Sequence, residues 1–250
     1  FVRMAARSAV QIKDIRKPPK LKELHVFTGQ RSKVTAPVVA VLGTDCACGK
    51  RTTAVELNNT LNKLGINSVL IATGQSGLMQ GAMYGVAIDA LVSQFVVGEI
   101  EHSVIQAYHN ENPDIILVEG QSAVSHPAFM GSVGILKGCK PDGVILQHPP
   151  GRMSRCDFPH LKMPTVDSEI NLIEAISQTK VMAIALSHES MSDEEILAVI
   201  ANYEMKFKLP TTDVLSHGCQ KLVHTLCHHF PELKETIRWK NFEKAPEMAA

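Results

Sequence analysis

Lys50 follows Gly49 and precedes Arg51, Thr52 and Thr53, at the end of the run Gly43-Thr44-Asp45-Cys46-Ala47-Cys48. An apolar run, Val38 to Leu42, comes before this segment and an amphipathic stretch comes after it. Strand, glycine-containing loop and helix in that order are the context of a phosphate-binding loop. Backbone N–H groups in such a loop point inward, the helix N-terminus adds positive potential, and a lysine supplies a mobile cation. Gly43 to Thr53 are therefore the expected cofactor-binding residues, with Gly49 letting the backbone pass close to the anion. The motif asks for Ser or Thr directly after the lysine, where the hydroxyl binds Mg²⁺, and this chain has Arg51 there. Thr52 stands about 100° further around the helix, so phosphate binding is expected to survive the change better than hydrolysis.

Three further groups follow apolar runs. Glu119 ends Ile115-Ile-Leu-Val118, where P-loop proteins place a metal-linked carboxylate, and is expected to face the phosphate. Thr73, Gln75 and Ser76 follow Ala72 at a second strand end, with Asp89 downstream and Gln121 just past Glu119. Ligands of open α/β sheets bind at that edge, so these five are the expected substrate contacts. His126 and His148 also follow strand ends, and a histidine titrating near neutrality suits a general base. Glu119, His126 and His148 are the catalytic candidates. No metal site is expected: the six cysteines lack paired C-x-x-C spacing, and adjacent His228 and His229 diverge by about 100° on a helix. Ser192 and Glu195 form a capping box, so Asp193 to Glu195 read as a helix N-terminus and not as a site.

Positioning these residues requires a parallel sheet. Short apolar runs at Val38–Leu42, Ser68–Ala72, Ile115–Val118, Gly143–Leu146 and Val181–Leu186 predict strands. Helical periodicity predicts helices over Lys50–Leu64, Ile88–Phe95, Glu99–Asn110, Glu169–Ser177, Asp193–Tyr203 and Gln220–His229. The fold class is α/β, a parallel sheet with helices on both faces, P-loop NTPase-like. Residues 37–250 form the expected domain, ending in a charged tail. Residues 1–36 read as a basic arm or linker, since residues 1–33 hold nine basic side chains against Asp14 and Glu23. With 25 basic and 25 acidic residues, no global field draws the chain to nucleic acid or anionic membrane. No stretch has the ~18 apolar residues of a membrane span, and a secretory signal is not evident. A cytoplasmic protein with reduced thiols, assembled as a homo-oligomer, is expected.

The combination Gly-Thr-Asp-Cys-x-x-Gly-Lys-x-Thr-Thr, Ala-Thr-Gly-Gln-x-Gly, Val-Glu-Gly-Gln, His-Pro and Lys-Pro-Asp resembles the D-glutamate N-acetyltransferase (DgcN-type) family, from Asp14-Ile-Arg-Lys-Pro-Pro to about Arg152. Members of that family carry an additional N-terminal nucleotide-fold domain, so the resemblance implies a piece of a longer protein. It also implies acetyl transfer from acetyl-CoA to the amino group of D-glutamate or a related amino acid. Coenzyme A carries a diphosphate that Lys50 and the loop amides suit. The Gly-Thr-Asp and Val-Glu-Gly segments also resemble dethiobiotin synthetase. That alternative implies ATP with Mg²⁺, and Thr52, Asp45 and Glu119 arranging the metal. A third reading is a non-catalytic nucleotide-sensing subunit whose Gly74–Gly85 loop reorders on binding.

Overall fold

The computed structural model describes residues 1–236, so the charged tail at 237–250 lies outside the described residues. Seven strands form one sheet: β1 Val38–Gly43, β2 Ser68–Ala72, β3 Tyr84–Gly85, β4 Ile115–Glu119, β5 Gly143–His148, β6 Val181–Leu186 and β7 Thr211–Asp213. Their order is β3-β2-β4-β1-β5-β6-β7, and every pairing is parallel. The helices are α1 Val2–Arg7, α2 Lys50–Lys63, α3 Gln75–Met79, α4 Ser93–Glu111, α5 Gly131–Cys139, α6 Val166–Ser177, α7 Asp193–Phe207, α8 Val214–His217, α9 Gln220–His229 and α10 Leu233–Thr236.

Alternation along the central strand divides the core in two. Val38, Ala40 and Leu42 point into a layer with Ile100 and Val104 of α4, Ile135 of α5, Ile173 of α6 and Ile196 of α7. Val39 and Val41 point to the other face, against Ala54, Leu57 and Leu61 of α2 and Leu222, Val223 and Leu226 of α9. With both faces covered, the strands carry unbroken Val, Ile and Leu runs, and all five expected strands are present.

Some elements differ from the sequence expectation. The periodic stretch Ile88–Phe95 divides into a 3-10 turn at Ile88–Ala90 and the start of α4, because Leu91 and Val92 are extended. Helix α4 then runs unbroken through Gly98 to Glu111. Strands β3 and β7 are two and three residues long, too short to show a period of two. Helix α5 contains Gly131, Gly134 and Gly138, a composition that argues against a helix. It forms because a side chain at Gly138 would sit 2.7 Å from the Val97 carbonyl, so the glycine permits close packing on α4.

Residues 24–36 lie against α4 and α5. Glu99 accepts from the His25 N–H at 2.6 Å, and Glu101 accepts from the Thr28 N–H at 2.6 Å and the Arg31 N–H at 3.1 Å. Arg31 is buried, donating to the Cys139 carbonyl at 2.8 Å and to Asp142 at 2.6 Å. This stretch is packed against the domain, in contrast to the mostly exposed residues 1–23. Among the described residues no helix is long and apolar enough to cross a membrane, and all six cysteines are free.

Candidate functional site

The loop from Thr44 to Gly49 leaves the C-terminal end of β1, the central strand, and enters α2. Ala47 at φ 47° and Gly49 at φ 102° are the two left-handed residues that curl it. Cations engage its carbonyls: Lys50 Nζ donates to Asp45 O at 2.5 Å, and Arg152 donates to Cys46 O at 2.8 Å and Ala47 O at 3.0 Å. The N–H groups of Ala47, Cys48 and Gly49 donate to no backbone carbonyl among the described residues. With the first turn of α2 they form a concave row of donors, the arrangement an anion requires.

A cavity of about 630 Å³ opens over this row. Residues Ala47 to Thr53 form its floor, Glu119 to Ser122 at the end of β4 and Gly74 to Ser76 after β2 one wall, and Gln147, Ser187 and Glu189 the opposite wall. Glu119 is buried and lines the cavity, with Oε2 accepting from the Thr73 N–H at 3.1 Å. Burial raises its carboxyl above the usual range, against the Thr73 N–H and the charges of Arg51 and Lys50, which lower it. Thr73 is spent on structure, its hydroxyl donating to the Glu119 carbonyl at 2.9 Å. Gln121 lines the cavity while bonding the Thr73 carbonyl. Gln75 and Asp89 line the rim, where Arg16 of the N-terminal segment reaches them at 3.2 and 2.8 Å. Thr52 is on the cavity wall, and Thr53 donates its hydroxyl to Gln147 at 2.5 Å.

The remaining expected residues lie elsewhere. Gly43, Thr44, Asp45 and Cys46 do not line the cavity. Asp45 is fully buried behind the loop, bonded to the Cys156 N–H at 2.7 Å and to Arg152 at 3.0 Å, with Arg155 at 3.5 Å. His126 is also behind the loop, stacked on Phe129 with its Nε2 at 3.8 Å from Asp45. Burial and Arg155 lower its pKa. His148 is buried, bonded to the Thr44 hydroxyl at 2.9 Å, and faces a second cavity of about 340 Å³ beside Tyr203. Burial pushes its pKa down to about 4. Of the three catalytic candidates, Glu119 alone faces the phosphate cavity.

Asp45, Cys46 and His126 bring ligand atoms within 4.8 Å of one another, a spacing that invites a metal reading. Asp45 Oδ1 and His126 Nε2 are themselves buried without a hydrogen-bond partner among the described residues. The Ala128 N–H donates to His126 Nδ1 at 3.2 Å, so a neutral imidazole carries its proton on Nε2, the nitrogen that faces Asp45. Two guanidiniums already balance the carboxylate. The cluster is an ion-pair node that braces the loop. Its cations Arg152 and Arg155, and Gln147 beneath Gly49, were missed from sequence. The signal for the cations was two arginines just after the Pro-Pro-Gly segment that follows a strand on the loop's edge of the sheet.

A parallel sheet with this loop at the C-terminal end of its central strand defines a P-loop domain built to hold a phosphate group. The chain belongs to the DUF1611 family: residues 25–223 match the family described as a domain of unknown function (DUF1611_C) P-loop domain. It is similar to a D-glutamate N-acetyltransferase from a Pseudoalteromonas species, 29% identical over 233 residues covering 91% of this chain and 68% of the relative. A D-glutamate N-acetyltransferase from Tritonibacter scottomollicae is 29% identical over 191 residues, 74% of this chain and 56% of that protein. A crystal structure of a DUF1611 family protein from Anabaena variabilis superposes with a TM-score of 0.81 at 29% identity, covering 89% of this chain and 66% of that one. The chain thus spans roughly half to two thirds of its relatives' length.

Proposed function

We propose that this chain is the cofactor-binding domain of an N-acetyltransferase that moves the acetyl group of acetyl-CoA to the amino group of D-glutamate or a related small amino acid. The carrying observation is the row of free loop amides beside Lys50 and Arg51, opening on a cavity of about 630 Å³ that also presents Glu119. Loop amides and cations suit the diphosphate of the cofactor. The two N-acetyltransferase relatives supply the acyl chemistry.

The reaction requires a neutral amine to attack the thioester carbonyl. A C–N bond forms, the C–S bond breaks, and the proton lost by the amine ends on the departing thiolate. Burial raises the Glu119 carboxyl above the usual range and so makes its carboxylate a stronger base for that proton, and the group stands on the cavity wall. Gln75, Ser76 and Gln121 offer polar contacts for the acceptor.

A second reading, ATP with Mg²⁺ in a ligase of the dethiobiotin synthetase type, is favoured by one observation: Thr52 and Glu119 share the cavity with Lys50. Thermal unfolding with acetyl-CoA, CoA and Mg-ATP separates the two, because a ligand binding only the folded state raises Tm. Acetyl-CoA and CoA are expected to stabilise the protein, and Lys50→Ala to abolish the response. Stabilisation by Mg-ATP alone would replace the first reading with the second, and an unchanged response in Lys50→Ala would remove the loop from the site.

A further inference from the structure

Position 51 is where a P-loop carries the hydroxyl that binds Mg²⁺. Arg51 stands there in the first turn of α2, on the cavity floor beside Lys50. Its Nε is buried without a hydrogen-bond partner among the described residues. The groups that would bind a divalent ion are mostly committed. Thr53 is bonded to Gln147, Asp89 is paired with Arg16, and Glu189 is paired with Arg152. Asp45 is held behind the loop by Cys156 and Arg152. Of the cavity's carboxylates and the hydroxyls of α2, Glu119 and Thr52 are left, and the Arg51 charge that acts on Glu119 would repel a divalent cation there.

We infer that Arg51 takes the place of the divalent metal, so that this cavity holds a diphosphate ester through the loop amides, Lys50 and Arg51 without Mg²⁺. The inference rests on the phosphate-binding reading of the loop and narrows its ligand class to diphosphates that bind metal-free. Lys50 and Arg51 together match the two negative charges of a diphosphate diester. A guanidinium keeps its proton at every working pH and offers two parallel N–H donors to phosphate oxygens, which a hydroxyl does not.

The test is titration calorimetry of the full chain with CoA and with ADP as separate diphosphate probes, each in EDTA and in millimolar Mg²⁺. Wild type is expected to bind at least one probe with the same Kd in both conditions. Arg51→Ala is expected to weaken binding in EDTA by about 10- to 100-fold, the range for a lost charged hydrogen bond. Arg51→Thr is expected to show the same loss in EDTA and to recover in Mg²⁺, with far-UV circular dichroism confirming that both variants fold. Wild-type binding that falls tenfold or more when Mg²⁺ is removed would overturn the inference and leave the phosphate loop standing. Wild-type affinity in Arg51→Ala would overturn it too. Metal-free binding of ADP but not CoA would sustain the role of Arg51 and defeat the acetyl-CoA reading, whereas no binding of either probe in either condition would defeat both.

Discussion

Replacing Asp45 by Asn removes one charge from the node that braces the phosphate loop while keeping the shape of the side chain. The carboxylate is fully buried, with Arg152 at 3.0 Å and Arg155 at 3.5 Å. At an effective dielectric of about 20, each of those distances corresponds to a gross attraction of roughly 5 kcal/mol. Dehydrating the ions cancels much of it, and removing one partner of a buried pair costs about 3 to 5 kcal/mol because the other charges stay behind uncompensated. Urea unfolding followed by circular dichroism at neutral pH should therefore show a loss of about 3 kcal/mol, which at a slope of roughly 2 to 3 kcal/mol/M moves the midpoint by at least about 1 M. The loss should depend on pH. Burial by itself raises the Asp45 carboxyl, but the Cys156 N–H and the Arg152 guanidinium outweigh it, and the group titrates below the usual carboxylate range. A depressed folded-state pKa gives stability that is complete above the unfolded value of about 3.9 and is lost as pH falls through the folded value. Wild type and variant should converge in acid. A neutral-pH difference below about 1 kcal/mol, or one that persists in acid, would refute the buried-node reasoning.

Gly49→Ala forces a side chain onto a residue at φ 102° and to 3.2 Å from Gln147, so a loss of about 1 to 3 kcal/mol in urea unfolding and no Tm rise with cofactor are expected. His148 is held neutral, its pKa pushed down from about 6.5 to about 4, so the unfolded chain binds the extra proton between those values. Its contribution is complete above pH 6.5 and falls by about 3 kcal/mol toward pH 4; in His148→Gln, stability measured across that window should decline less steeply. Gly98→Ala places a methyl 2.2 Å from the His25 carbonyl, so residues 24–28 must lift from α4; limited trypsin digestion should then cleave at Arg31, which wild type shields.

The strands and the loop were legible because their signals are local. A parallel strand covered on both faces must be apolar throughout, and Val38–Leu42 followed by a glycine loop and a helix has few other readings. The capping box at Ser192 and Glu195 was equally local, two groups three residues apart satisfying each other's backbone. Helix α5 was not legible, since its glycines lower helix propensity and are acceptable only because α4 approaches closely there.

The residue types and spacing around Lys50 determined that an anion is held at the end of a buried strand, because loop curvature and helix start are set within about ten residues. Which side chains face that anion was decided by the tertiary structure. Asp45, one residue past Thr44, turns away to meet Arg152 and Arg155, more than a hundred residues distant in the chain. His126, past the end of β4, and His148, the last residue of β5, are buried apart from the cavity, while Glu119 lines it. Such pairings come from strands far apart in the sequence lying side by side in the sheet, and no local period in the chain records them.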